Sequence, residues 1–418
     1  MTTSRPWENA MADLAPAEPT DPTGAPEISG ALDSPEFADP DRTAGPLPLI
    51  PRGPVARARA LLAAHPVVDG CNGLPWALRR RTGHDLTPGH HFDLDQGETG
   101  VRTDLPRLRA GGVGGQFWSL QVPAELTGEA AVSATLEQID FVHALVRAYP
   151  DTLHLALTAD DMAEARNGGR IASLLGSAGG HAIDSSLGVL RCFHRLGVRS
   201  LALTADRNTP WADSATDAPR AGGLTVFGEE VVREMNRLGM LIDLSWCSAD
   251  TMRHTLALTR APVIWTRTAA CAVSGHPRNV PDEVLSLVPR NGGVCMVTFA
   301  PEQLTDGGGP AGVQDIADHL DHLRTVAGPD HIGLGAGFDT DPATAHRSPL
   351  PDVAGYPLLI AELIDRGWSF HDLAALTWGN VLRALRGVES VARSVRGRRS
   401  PSTATIERLD GGRPDGER

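Results

Sequence analysis

The chain has 418 residues, a mean hydropathy of −0.16, a formal net charge of −13 and a pI near 5.6. That length can bury a full core, and at about 150 residues per domain it allows two or three domains or one large α/β barrel. The acidic balance excludes non-specific nucleic-acid binding, which needs a basic face to neutralise phosphates.

All 38 basic residues are Arg, and Ala, Gly and Pro are abundant, which is the mark of a GC-rich coding sequence. The five cysteines (Cys71, Cys192, Cys247, Cys271 and Cys295) are widely spaced and form no Cys-x-x-Cys pair, so free thiols in a reducing cytoplasm are expected rather than a disulfide framework. Residues 1–49 are acidic and rich in Pro and Ala, without apolar periodicity, and are expected to be a disordered tail. They lack the basic start and apolar run of a signal peptide, and no run in the chain reaches the ~20 apolar residues that span a bilayer. A cytoplasmic location with no membrane contact is the resulting expectation.

From residue 50 to 388, short apolar runs alternate with helical patterns. Strands are predicted at 66–69, 115–122, 171–175, 200–204, 240–244, 262–266, 294–299 and 331–334, each a β-branched or aliphatic run followed by polar or Gly residues, as buried parallel strands require. Between them the 3.6-residue period predicts helices at 131–148, 185–196, 228–238, 249–258 and 313–327, and Ser248 reads as an N-cap. Residues 389–418 turn polar, with an Arg-rich run, and are expected to form a second tail. Eight strands alternating with helices is the arithmetic of a (β/α)8 TIM barrel. An open doubly wound sheet is the alternative, weakened because no Gly-x-Gly-x-x-Gly follows the first strand.

In a barrel the chemistry belongs at the C-terminal strand ends. These are residues 69–73, 177–181, 205–208, 245–247, Arg267 and 337–339. A zinc hydrolase would place His, Asp and Glu there. Few such donors are present.

Several long segments resemble the membrane (renal) dipeptidase family of amidohydrolase-like barrels. They are HPVVDGCNGLPWALRR at 65–80, TDLPRLRAGGVGGQFWSLQV at 103–122, IASLLGSAGGHAIDSSLGVLR at 171–191, NTPWADS at 208–214, GMLIDLSWCSADTM at 239–252 and RNVPDEVL at 278–285. The resemblance implies a binuclear zinc site, and at its ligand positions this chain carries Cys71, Gly73, Ala178, Trp246 and Arg267. Ala205 stands at the position of the catalytic His, and Gly337 at that of the Asp near the reacting water. The expectation is therefore a degenerate relative without the zinc cofactor. Arg278 matches the family residue that grips the substrate carboxylate, and with Arg267 and Asp339 it makes up the expected ligand-binding set. Arg267, with Arg207 near it, is expected to replace the lost metal charge by pairing with Asp69 or Asp339. Cys71 is the one catalytic candidate, a nucleophile if a nearby guanidinium lowers its pKa; an inert buried thiol is the plainer reading. His90, His91, Asp93, Asp95 and Glu98 form a polar cluster with no known ligand spacing. The resemblance also implies dimers, with a second copy or an active paralogue as partner. Three functions stay open: a pseudoenzyme binding a paralogue or a small carboxylate or peptide-like ligand, a repurposed metal-free enzyme, or a dipeptidase with unfamiliar zinc ligands.

Overall fold

The computed structural model of the chain describes residues 53–83, 92–176, 178–341 and 348–411. The expected tail at 1–49, and His90 and His91, lie outside the described residues.

Among the described residues ten strands form: β1 (Val67–Asn72), β2 (Val113–Ser119), β3 (Leu153–Leu155), β4 (Ile171–Gly176), β5 (Ala178–Gly179), β6 (Ser200–Ala202), β7 (Leu241–Asp243), β8 (Val263–Thr268), β9 (Val294–Val297) and β10 (Ile332–Leu334). Their order in the sheet is β3-β4-β2-β1-β10-β9-β8-β7-β6-β5, and the pairings between strands are parallel. Only Ser177 separates β4 from β5, so the two ends of that order belong to one run and the sheet closes. Counting that run once and setting β3 aside leaves eight staves, each corresponding to a predicted strand. The fold is a (β/α)8 barrel. β3 is an extra three-residue strand on the flank of β4, too short to carry a readable period.

Residues of β1, β2, β4 and β9 are buried on both faces, which is why their sequences read as apolar runs rather than alternations. Helices follow the strands and cover them, among them Gly128–Ala148, Val226–Leu238, Ala249–Leu258 and Val313–Ala327. The Ser248 cap is formed: its side chain accepts the Thr251 N–H at 3.2 Å. Gly239 ends the helix before β7 at φ 80°, a left-handed position that glycine takes without steric cost.

The expected polar tail from 389 onward is corrected as far as residue 411. The helix Asn380–Arg396 runs through that boundary, with Val388 and Ala392 buried, and Ile406 of the short helix Ile406–Asp410 is buried as well. The Arg-rich composition hid an apolar stripe at helical spacing. No helix among the described residues is long and apolar enough to cross a membrane.

Candidate functional site: an arginine–tryptophan pocket at the strand ends

The site is assembled from β7 and β8 outward. Asp243, buried at the end of β7, accepts hydrogen bonds from the N–H groups of Ser245 at 3.0 Å and Thr266 at 3.1 Å, and from both their hydroxyls. Ser245 Oγ in turn accepts the Arg267 N–H at 3.1 Å. One carboxylate thus fastens the turn carrying Trp246 to the strand carrying Arg267, and the two side chains emerge together. The guanidinium carbon of Arg267 lies 5.0 Å from the centre of the Trp246 ring.

Arg278 reaches the same indole from the loop after β8. Its carbonyl accepts from Thr268 Oγ1 at 3.1 Å, its N–H donates to His276 Nδ1 at 3.2 Å, and its guanidinium carbon sits 3.5 Å from the ring centre. That is stacking distance, and it gives the cation a π face in place of water. Arg278 is only 8% exposed, its Nε has no hydrogen-bond partner, and no carboxylate lies in salt-bridge range among the described residues. Burial first, and then the neighbouring charge of Arg267, pull its pKa down to about 9, so it remains a cation at neutral pH.

Both arginines open onto a cavity of about 180 Å³, which Arg102, Glu302 and Thr340 also line. Arg267 spans its floor, donating to Gln121 Oε1 at 3.0 Å and to Thr340 Oγ1 at 3.2 Å. Those partners are neutral, so the expected pairing of Arg267 with an aspartate is corrected. Asp339 does not line the cavity: at φ 61° its left-handed backbone turns the carboxylate toward the Arg102 N–H, which donates at 2.7 Å. Arg207 pairs instead with exposed Glu125 at 3.8 Å.

Asp69 is fully buried at the end of β1, where Oδ1 accepts from the N–H groups of Ala336 at 2.9 Å and Cys71 at 3.2 Å. Burial outweighs those bonds and raises its pKa to about 6. Its Oδ2 and the neighbouring Tyr356 hydroxyl complete no well-formed hydrogen bond, and burial followed by the Asp69 charge pushes the tyrosine far above its ordinary value. Cys71 is buried, and desolvation outweighs the Arg267 charge to push its thiol up to about 11. At neutral pH it is a thiol, not the thiolate that a nucleophile requires. In the described part of the polar cluster at 90–98, Glu98 accepts the Asp93 N–H at 2.6 Å and pairs with Arg81 at 3.3 Å, a local turn.

Comparison with known proteins fits this scaffold. Residues 55–399 match the family model described as membrane dipeptidase, peptidase family M19. The chain belongs to that family. It is 43% identical to Dipeptidase 3 of Mus musculus over 342 residues, which are 80% of this chain and 67% of that one. It is 41% identical to Dipeptidase verJ of Clonostachys rogersoniana over 350 residues, 81% and 88% of the two chains. A Rhodobacter sphaeroides metallopeptidase, crystallised with a phosphinate mimic of the dipeptide L-Ala-D-Ala, superposes with a TM-score of 0.70 at 26% identity, covering 77% of this chain and 99% of that one.

The zinc pair of the family does not fit the residues present. Gly73, Ala178, Ala205 and Gly337 have no donor atom, and Trp246 and Arg267 bring an indole and a cation to ligand positions. At Gly73 even the room is missing, because a Cβ there would lie 2.4 Å from the Asp339 carbonyl oxygen. Among the described residues no three of His, Cys, Asp or Glu converge.

Of the residues singled out in the sequence, the structure brings Trp246, Arg267 and Arg278 to this cavity. Sequence reasoning missed Glu302, Arg102, Gln121, Thr340 and Tyr356. Glu302 was within reach, since it lies three residues beyond the predicted strand 294–299, at the C-terminal end where barrel chemistry collects.

Proposed function

We propose that this dipeptidase-family barrel binds a small carboxylate-bearing, peptide-like ligand and does not hydrolyse it. The observation that carries the reading is Arg278: a buried guanidinium, stacked on Trp246 beside a second cation, with an unused N–H and no anionic partner among the described residues. A buried charge is costly unless it is paired, and a carboxylate is the partner whose planar geometry a guanidinium matches. Arg267 adds a second fixed charge at a position where the family holds metal. The crystallised dipeptide mimic on the superposed metallopeptidase supports a peptide-like ligand class. Hydrolysis would need an activated water or nucleophile. The donor set does not suit zinc, and Cys71 is held protonated.

Metal analysis of purified protein, with a hydrolysis panel that includes L,D-dipeptides, tests the reading. Much less than one zinc per chain and no turnover are expected, together with carboxylate binding that Arg278→Ala abolishes. Two tightly held zinc ions, with dipeptide hydrolysis lost on chelation, would sink it.

A further inference from the structure

The cavity holds a second unsatisfied charge of opposite sign. Glu302, on the short helix Pro301–Leu304 that follows β9, lines the same cavity as Arg278, and its Oε2 is buried without a hydrogen-bond partner. The two groups feel one another electrostatically but do not form an ion pair among the described residues. They are nevertheless held in a fixed relation by their chain neighbours. Asn279 donates to the Gln303 carbonyl at 2.8 Å, and Gln303 Nε2 donates back to Asn279 Oδ1 at 3.1 Å. Asn279 also donates to the Ser274 carbonyl at 2.8 Å, and both side chains are buried. This reciprocal amide pair ties the loop that carries Arg278 to the helix that carries Glu302. The unused donor and the unused acceptor are therefore preorganised across one small space rather than left by two mobile side chains.

Resting on the carboxylate-binding reading above, we infer that Glu302 is the cation-recognising half of the pocket and that the ligand is a compact zwitterion, a free α-amino acid or a short peptide with an unblocked amine. The carboxylate meets Arg278 and Arg267, and the ammonium donates to Glu302. A ligand with only a carboxylate would leave the Glu302 oxygen desolvated and bring it close to a like charge. A ligand with only an amine would do the same to the two guanidiniums. The zwitterion satisfies both, and charge-assisted hydrogen bonds of this kind are about twice as strong as neutral ones. The size agrees: a cavity of about 180 Å³ is below the ~300 Å³ at which drug-sized ligands are ordinarily enclosed.

Calorimetric titration of the full chain with L-alanine and glycylglycine, against N-acetyl-L-alanine and N-acetylglycylglycine, reads the amine directly. The free amines are expected to bind at least about tenfold more tightly than their acetylated counterparts, the worth of one charge-assisted hydrogen bond. Glu302→Gln, nearly the same shape, should bring that ratio to within about threefold by weakening the free amines and relieving the like-charge contact with the acetylated compounds, with the melting temperature unchanged. Equal binding of free and acetylated ligands by the wild type, or a preference that survives in Glu302→Gln, overturns the role of Glu302 and leaves the carboxylate reading standing. If none of the four compounds binds, both readings fall.

Discussion

Asp69 shows how a single buried carboxyl sets the response of the fold to pH. In the unfolded chain it titrates near 3.8, and in the folded barrel burial raises it to about 6. Between those values the folded state keeps a proton that the unfolded state has shed. Stability therefore falls as pH rises through the window from about 4 to about 6, and stays lower above it. For a shift of this size the loss is on the order of 2–3 kcal/mol. Asn in its place copies the neutral acid: Oδ1 keeps the N–H donors of Cys71 and Ala336, and the amide offers the Tyr356 oxygen a donor. Urea denaturation of wild type and Asp69→Asn should give similar stabilities at pH 4, and a mutant more stable by roughly 2 kcal/mol at pH 7. A difference between the two proteins that is independent of pH would show that Asp69 does not titrate as described. Arg267 teaches a complementary lesson. Charge arithmetic alone assigned it an aspartate, but Asp69 Oδ1 is held by backbone N–H groups and Asp339 Oδ1 by the Arg102 N–H, and the guanidinium lies instead against an indole and two neutral oxygens.

At the scale of elements, the seam where β1 leaves the barrel beside the end of β10 leaves no room for a side chain at residue 73. Gly73 N–H donates to the Phe338 carbonyl at 2.7 Å, and the backbone of Asp339 and Thr340 fills the space in front of the Gly73 Cα. Placing a carboxylate there as Gly73→Asp should therefore not create a metal ligand. A Cβ set 2.4 Å from a carbonyl oxygen forces the strand ends apart, and overpacking of this kind costs about 1–3 kcal/mol. The expected outcome is a lower urea midpoint with no gain in zinc content; a variant of unchanged stability that takes up stoichiometric zinc would refute the account of the seam. All eight staves of the barrel were legible, because strands buried on two faces write themselves as apolar runs. Their C-terminal limits were less so: 294–299 was expected and β9 stops at Val297, since Thr298 and Phe299 remain buried after the ladder ends. The site was half legible. Trp246, Arg267 and Arg278 stand at motif positions. The unpaired state of Arg278 and Glu302 depends on distances between loops, which no spacing in the sequence encodes.

At the scale of the whole molecule, the C-terminal segment closes back on the helix between β6 and β7. Glu234 of that helix is fully buried; burial opposes its ionisation, but hydrogen bonds from Arg237 and Arg191 outweigh it and hold its pKa below the usual carboxylate range. Arg237 bonds it at 2.8 Å and Arg191 at 3.1 Å, and Arg191 also donates to the Ser402 carbonyl at 3.0 Å, so the segment lids a buried ionic cluster. Farther on, Asp410 accepts from Thr225 Oγ1 at 2.7 Å and from the Phe227 N–H at 3.2 Å, placing a carboxylate at the N-terminus of the helix Val226–Leu238, where the macrodipole favours it. Ile406 contributes burial worth about 1.5–3 kcal/mol, and each hydrogen bond about 0.5–1.5, against the entropy of ordering the segment. Removing residues 400–418 should then lower stability by about 1–3 kcal/mol, because Glu234 and its arginines gain solvent and the helix loses the Asp410 carboxylate at its N-terminus. Among the described residues the pocket draws none from this segment, so affinity for a carboxylate ligand should be unchanged in the truncated chain. Chemical denaturation and calorimetry on the same preparation separate the two effects. An unaltered denaturation midpoint would mean that the segment rests on the barrel without supporting it, and an altered affinity would mean that it shapes the pocket from a distance.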